Sequence, residues 1–444
     1  MRLKPGRRVV ENLLRSTATL YAVHPTRNDV LGVPAFRSIC ELPAVPDLVV
    51  LAVGAEAAVR AAADAASMGV PFVVVLAGGF GESGEAGREL ERRLADIPSA
   101  SHTRILGPNT LGFQMPASGI DTVFVDHAEE GFTSDGAVLI SQSGSVGVEA
   151  LAEAARFGFG LRCFIGLGNA VDLGTIEFIR HFRDDASTSC ICVYLEHLGE
   201  GRALLEAARE AARRRPVFFL KSGRTSAGAA AVASHTGRLA GADRVVDGAL
   251  VQYGVQRVAD DEELMDAARA VTYAKPPRGN RAAVITPAGG YGVMCVDYLE
   301  GSIGGGALRL ATLDPRTERD LGQVCLPFAS VRNPVDLTAG ADTGMFARSV
   351  DILLDDPGVD ILLVLAFFAP AGVAGDLIAR IGAFARSSDT SVLVFCRSGA
   401  RTDEYCRAFT GAGLAVYSSL SRTVRSARLL VQRTAIAERL EGRP

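Results

Sequence analysis

The sequence predicts an α/β protein built on parallel sheets. Three observations carry that prediction. Short apolar runs recur along the chain, most of them end in a turn of small residues, and a helical pattern then opens. Continuous apolar strands alternating with helices mark sheets covered on both faces. With 444 residues, 48% of them hydrophobic, the chain is long enough for several domains with sizeable cores.

The elements follow in order. Residues 47–53 read as a strand and 55–68 as an Ala-rich helix. Residues 72–76 form the next strand, followed by Ala77-Gly78-Gly79-Phe80 and a helix over about 85–95. Residues 138–140 lead through Ser141-Gln142-Ser143-Gly144-Ser145-Val146-Gly147 into a helix that runs to 155. Strands at 189–195 and 217–221 flank another helix. Residues 282–286 lead into Pro287-Ala288-Gly289-Gly290-Tyr291-Gly292 and a further helix, and 360–366 and 392–395 are late strands. Segments 138–152 and 284–298 share one plan of strand, small-residue turn and helix, which suggests two flavodoxin-like domains. Boundaries fall in the polar stretch 127–135 and at Lys275-Pro276-Pro277-Arg278-Gly279-Asn280, where Pro-Pro cannot continue a helix.

Composition excludes several classes. Charged residues make up 22% and are well mixed, with a net charge of -4, unlike the basic stripe of a nucleic-acid binder. The N-terminal MRLKPGRRVVENLL is basic but lacks the apolar core and cleavage site of a signal peptide. The longest apolar stretch, 361–375, contains Pro370 and falls short of the roughly 18 residues of a membrane span. The expectation is a soluble, cytoplasmic protein. The eight cysteines include no CxxC pair and read as buried, reduced thiols, with Cys190 and Cys192 on opposite faces of one strand. Histidines and thiols do not pair at ligand spacing, so no metal site is expected.

The small-residue turns suggest anion binding. A strand that ends in glycines and opens a helix aims unpaired N–H groups and the positive end of the helix dipole at one spot. Two such turns in separate domains suggest a doubly positive cleft. Of six histidines, His235 stands out. It lies in Ala-rich sequence, beside Ser234, Thr236 and Gly237, after the strand that ends at Lys221. Neutral imidazole is a nucleophile near pH 7, and small neighbours leave room for a phosphoryl group.

These residues resemble an ordered set of family motifs. The set runs through Val23-His24-Pro25, Leu31-Gly32, Ala77-Gly78-Gly79-Phe80, Gly107-Pro108-Asn109-Thr110-Leu111-Gly112 and Ser141-Gln142-Ser143-Gly144. It continues with Leu167-Gly168-Asn169, Tyr194-Leu195-Glu196, Lys221-Ser222-Gly223-Arg224, Ser234-His235-Thr236-Gly237, Ala288-Gly289-Gly290 and Asn333-Pro334-Val335-Asp336-Leu337-Thr338. The chain resembles the α subunit of NDP-forming acyl-CoA synthetases, relatives of succinyl-CoA synthetase.

The resemblance implies three domains: a Rossmann-like CoA-binding domain over 1–130, a flavodoxin-like ligase domain carrying the phosphohistidine over 131–277, and a second over 278–444. It implies that phosphate attacks an acyl-CoA to give an acyl phosphate, that His235 takes the phosphoryl group, and that phosphohistidine donates to ADP or GDP. Glu196 would orient the imidazole. Ser143, Gly144, Ser145, Gly290, Tyr291 and Gly292 would face the phosphate. His24, Pro25, Gly79, Phe80, Asn109, Gly168 and Asn169 would serve coenzyme A. An ATP-grasp β subunit would supply ATP/ADP and Mg2+, and the Ala-rich stretch would be a mobile carrier. The family opens with an apolar strand and a Gly-rich loop, of which only Lys4-Pro5-Gly6-Arg7-Arg8-Val9 resembles the end, so the first sheet is expected to carry an unpaired edge. The residues alone also admit a CoA-binding or regulatory protein without ligase activity, or an acyl or phosphoryl transferase that uses no nucleotide. A dinucleotide oxidoreductase is disfavoured, because no complete GxGxxG follows a first strand.

Overall fold

A computed structural model of the chain describes residues 5–125, 136–236, 243–300, 308–367 and 376–442, with the backbone alone at 233–236. It divides into two compact units, Met1–Ala152 with Gly160–Asp261, and Glu153–Phe159 with Glu262–Pro444.

The first unit holds three sheets. Strands Leu48–Leu51, Phe72–Val75 and Arg104–Leu106 are parallel neighbours. Among the described residues Leu48–Leu51 pairs with Phe72–Val75 alone, and three of its four residues are half-buried. Ala22–Val23, Asp29–Val30 and Val33–Phe36 make a small separate sheet.

The third sheet has seven strands. Five are parallel, in the order Gln256–Val258, Val217–Lys221, Thr188–Leu195, Gly136–Ser141, Leu161–Gly166. Phe113–Met115 and Ile120–Asp121 extend it antiparallel. Every residue of Gly136–Ser141 is buried, the signature of a strand covered on both faces. The helix Gly144–Arg156 lies close on its neighbour strand because residue 147 is glycine. A Cβ there would sit 2.5 Å from the Phe164 ring.

In the second unit, the strand order is Arg309–Leu310, Arg281–Thr286, Ile361–Phe367, Ser391–Arg397, Ala415–Tyr417, all parallel. Alternation along one strand builds both cores. Leu362, Val364 and Ala366 pack on one face, Ile361, Leu363 and Leu365 on the other. The predicted strands and helices are found throughout, with boundaries shifted by a few residues. The largest shift is the helix Glu85–Ala100, which runs past its predicted end.

One expectation is corrected. Cys190 and Cys192 lie on the same face of Thr188–Leu195, with their sulfurs 4.0 Å apart. Side chains alternate along a strand with period two, so residues separated by one position share a face. The Cys190 contact and burial raise the Cys192 thiol well above its ordinary pKa. Burial pushes Cys163 and Cys295 up to about 12. All eight cysteines are free thiols, and Cys40 alone is exposed.

The second unit is clamped by buried charge. Arg422 lies 2.6 Å from Asp266 and 2.7 Å from Glu153. Burial alone would lower the Arg422 pKa, but the two carboxylates more than offset it and the net shift is upward. Arg269, fully buried, donates to the Val416 carbonyl at 3.0 Å and stacks over the Phe157 ring at 4.5 Å. This network fixes the helix Leu420–Leu440 to the helix Asp261–Tyr273.

Removing one partner of a buried pair strands the other charge, at a cost of about 3–5 kcal/mol. Asp266→Ala is therefore expected to lower the denaturation midpoint of this unit sharply in urea unfolding. Glu404→Ala, which breaks an exposed pair with Arg401 in the same unit, is expected to leave the midpoint in place.

Candidate functional site

Parallel strands in one sheet end on the same side, and the crevice outside their carboxyl ends is where ligands of such sheets bind. Here Ser141, Glu196 and Lys221 come together. Ser141 lies beside Tyr194 in the ladder, Tyr194 beside Leu220, and Leu195 beside Lys221.

Gln142 staples this edge. Its Oε1 accepts the Glu196 N–H at 2.7 Å and the His197 N–H at 3.1 Å, and its Nε2 donates to the His197 carbonyl at 3.2 Å. The Ser141–Ser145 turn is thereby held against the chain that carries Glu196. Within the turn, Ser141 Oγ donates to the Ser143 carbonyl at 2.6 Å and accepts the Ser143 N–H at 3.2 Å. The Ser143 and Ser145 hydroxyls are 3.1 Å apart at the first turn of Gly144–Arg156. Gly144 and Ser145 thus sit at the positive end of a helix. A Cβ at Gly144 would lie 3.0 Å from the Leu111 side chain.

Glu196 is 8% exposed and Lys221 3%. Sequence reasoning assigned Glu196 a role but gave none to Lys221 or Gln142. Polar residues at apolar strand ends were the available signal for both. The Ala-rich stretch forms the helix Ser226–Thr236, as alanine favours. His235 lies on it, but its side chain is outside the described residues. Val232 is buried, while Ser226, Ala227, Ala230 and Ala231 are exposed.

The second turn repeats the first atom for atom at its start. Thr286 Oγ1 donates to the Ala288 carbonyl at 3.1 Å and accepts the Ala288 N–H at 3.0 Å. The helix Gly289–Glu300 follows, with Gly290 exposed, Tyr291 half-buried and Gly292 buried. Tyr291 packs its ring 5.1 Å from that of Phe395. The two turns differ in charge. Asp336 lies so close to the second that a Cβ at Gly289 would be 2.5 Å from its Oδ2.

A separate polar cluster gathers most of the residues expected to serve coenzyme A. Asn109 donates to Asn169 Oδ1 at 3.3 Å. Asn169 in turn donates to Glu82 at 3.0 Å and Glu91 at 2.6 Å. The Gly79 N–H donates to Glu82 at 2.6 Å. Gly168, at φ +60°, packs so tightly that a Cβ would meet the Pro108 carbonyl at 2.2 Å. Burial pushes the Glu82 pKa up, but the Asn169 amide and the Gly79 and Phe80 N–H groups outweigh it, and the net shift is downward. Glu82 and Glu91 carried no motif signal beyond an ordinary helix start. Phe80 is fully buried in the core under this cluster. His24 and Pro25 lie apart, in a turn where His24 Nδ1 accepts the N–H groups of Thr26 and Arg27 at 3.2 and 3.1 Å.

Among the described residues, no group of three His, Cys, Asp or Glu is placed to hold a metal ion, and no helix is long and apolar enough to cross a membrane.

Residues 2–116 match the CoA binding domain family, 135–271 the succinyl-CoA ligase like flavodoxin domain, and 282–421 the ligase-CoA domain. The α subunit of acetate–CoA ligase (ADP-forming) II of Pyrococcus furiosus is 33% identical over 363 residues, covering 82% of this chain and 78% of that one. Acetate–CoA ligase (ADP-forming) I of Archaeoglobus fulgidus is 32% identical over 362 residues, which is 82% of this chain and 52% of that protein, so the chain spans about half its length. The solved structure of dinucleotide-forming acetyl-coenzyme A synthetase 1 from Ca. Korarchaeum cryptofilum, in complex with phosphate and ADP, superposes with a TM-score of 0.88 at 26% identity, over 99% of this chain and 94% of that one. With the edge of parallel strands, the stapled serine turn and these relatives in agreement, the chain belongs to the family of NDP-forming acyl-CoA synthetase α subunits.

Proposed function

We propose that the chain interconverts an acyl-CoA, phosphate and a nucleoside diphosphate with a carboxylic acid, coenzyme A and the triphosphate, by way of a phosphohistidine at His235. One observation carries the reading: Gln142 holds the Ser143–Ser145 helix start and Glu196 at one strand edge. That edge supplies an anion-binding end and a carboxylate within the same sheet as the His235 helix.

A phosphate oxygen attacks the thioester carbonyl, and coenzyme A leaves as the thiolate, giving an acyl phosphate. A ring nitrogen of His235 attacks the phosphorus, and the carboxylate leaves with the electron pair of the P–O bond. The phosphohistidine then passes its phosphoryl group to the diphosphate. Glu196 accepts the N–H of the other ring nitrogen, which fixes the tautomer and stabilises the ring as it gains positive character. The Ser143 and Ser145 hydroxyls and the helix dipole, worth about 0.3–2 kcal/mol, stabilise the phosphoryl oxygens.

The second turn, with Gly290, Tyr291 and Gly292, carries the Asp336 carboxylate beside it. The Asn109–Asn169–Glu82–Glu91 cluster suits amide and hydroxyl groups of coenzyme A better than its phosphates, since two carboxylates repel anions. A helix anchored at Val232 but exposed at Ser226, Ala227, Ala230 and Ala231 suits a carrier that undocks. The nucleotide and its Mg2+ belong, in this reading, to a separate subunit of ATP-grasp type. In this reading the acid is a small carboxylic acid.

Two outcomes test the proposal. With the partner subunit and radiolabelled ATP, the chain is expected to take up an acid-labile, base-stable label. His235→Asn is expected to lose it along with acyl-CoA synthesis, and full synthesis by that mutant would sink the reading. Ser143→Ala is expected to slow labelling roughly tenfold, the worth of one hydrogen bond to a charged group, as measured by quenched-flow single turnovers.

A further inference from the structure

Several tight turns in the first unit are closed by a side chain that accepts backbone N–H groups. Asp29 Oδ1 accepts the Gly32 N–H at 3.1 Å, and Ser38 Oγ accepts the Cys40 N–H at 3.2 Å. Asp, Asn and Ser are the ordinary residues for this task. In the turn between Ala22–Val23 and Asp29–Val30 the task falls to a histidine. His24 Nδ1 accepts the Thr26 N–H at 3.2 Å and the Arg27 N–H at 3.1 Å, and the Thr26 hydroxyl lies 3.5 Å from the same nitrogen. The His24 N–H donates to the Phe36 carbonyl at 2.9 Å, which ties this half-buried residue to the neighbouring strand Val33–Phe36.

A ring nitrogen that accepts carries no proton. Neutral imidazole has one accepting and one donating nitrogen, so this geometry puts the ring proton on Nε2. Imidazolium donates from both nitrogens. A second proton would therefore set an Nδ1–H against two backbone N–H groups, and the turn would have to open. A carboxylate or an amide in the same place stays an acceptor between about pH 5 and about pH 8, whereas histidine is the side chain that changes charge across that range. The charged groups around the ring are Arg27 and Asp29 on its own turn, and Arg37 and Glu41 after the neighbouring strand. Asp29 is taken up by the Gly32 N–H, and Glu41 accepts the Arg37 N–H at 3.3 Å. Arg37 also donates to Asn28 Oδ1 at 2.9 Å, which brings a second guanidinium to the turn. The carboxylates are thus engaged elsewhere and leave the ring nitrogen to the two N–H groups.

We infer that His24 is a positioning residue for coenzyme A: in its neutral form it folds the turn that presents Arg27, and a second proton on the ring releases that turn and weakens coenzyme A binding. This rests on the reading that the His24–Pro25 turn serves coenzyme A and adds proton control to it. Arg27 is exposed, and it offers the phosphates a cation that the Asn109–Asn169–Glu82–Glu91 cluster lacks. A histidine that touched the phosphates itself would act in the opposite sense, because imidazolium attracts them.

The test is the dissociation constant of coenzyme A for the full chain, measured by isothermal titration calorimetry between about pH 8 and about pH 5. Wild type, His24→Asn and His24→Ala are compared. Coenzyme A carries a phosphate monoester that titrates in the same range. Each constant is therefore read as a ratio to that of His24→Asn, which keeps an acceptor at the turn and does not titrate. The wild-type ratio is expected to lie near one at the high end and to rise to roughly fivefold at the low end, the worth of one net hydrogen bond. His24→Ala is expected to bind roughly fivefold more weakly than His24→Asn at every pH. A flat wild-type ratio overturns the proposal, and so does a ratio that falls with pH, which would place His24 on the phosphates. Should His24→Asn fail to fold, the imidazole resonances of the wild type decide. Linkage is reciprocal, so bound coenzyme A must make the ring harder to protonate. A His24 titration that moves to lower pH on adding coenzyme A supports the proposal, and one that stays or moves to higher pH overturns it. Absence of coenzyme A binding by the wild type at any pH would instead defeat the coenzyme A reading of the turn, so the two failures are separate.

Discussion

Parallel strands that end at one edge create a problem as well as an opportunity. The chain leaving each strand carries N–H groups that have run out of ladder partners. At the end of Thr188–Leu195 the Gln142 amide takes up two of them, those of Glu196 and His197, and returns a hydrogen bond to the His197 carbonyl. An uncharged group that both donates and accepts is needed. A carboxylate could accept the N–H groups but could not bond the carbonyl, and it would set a second negative charge beside Glu196. The serine turn, the helix start and the carboxylate hold their places through this one side chain.

The internal repeat shows how far one local solution can be reused. Ser141 and Thr286 use their hydroxyls in the same way to close the turn before a helix. The copies then diverge in charge, with serine hydroxyls at one helix start and Asp336 near the other. The divergence comes from a residue far along the chain, which the local pattern at 284–298 does not contain.

That is also where reading the sequence succeeded and stopped. Apolar runs fixed the strands because a strand buried on both faces needs an unbroken run, as at 138–140. Glycine and hydroxyl residues marked the turns because the backbone there demands them, as Gly147 shows against Phe164. Residues whose importance comes from distant partners were silent. Glu82 and Glu91 meet Asn169 only after the chain folds, across 87 and 78 positions. The cysteine pair was a different failure, in which strand periodicity already contained the answer.

The thiols have a practical consequence. Six of the eight cysteines are buried and Cys325 is half-buried, and several thiols are held protonated by their surroundings. Alkylating reagents attack the thiolate, so these sites are protected twice, by access and by protonation. Cys40 alone is open to solvent, in a short 3-10 turn capped by Ser38. The chain therefore offers Cys40 as its most accessible attachment point, in its first unit. A fluorophore or spin label could be placed there without any engineered cysteine, and without stripping native ones from the cores.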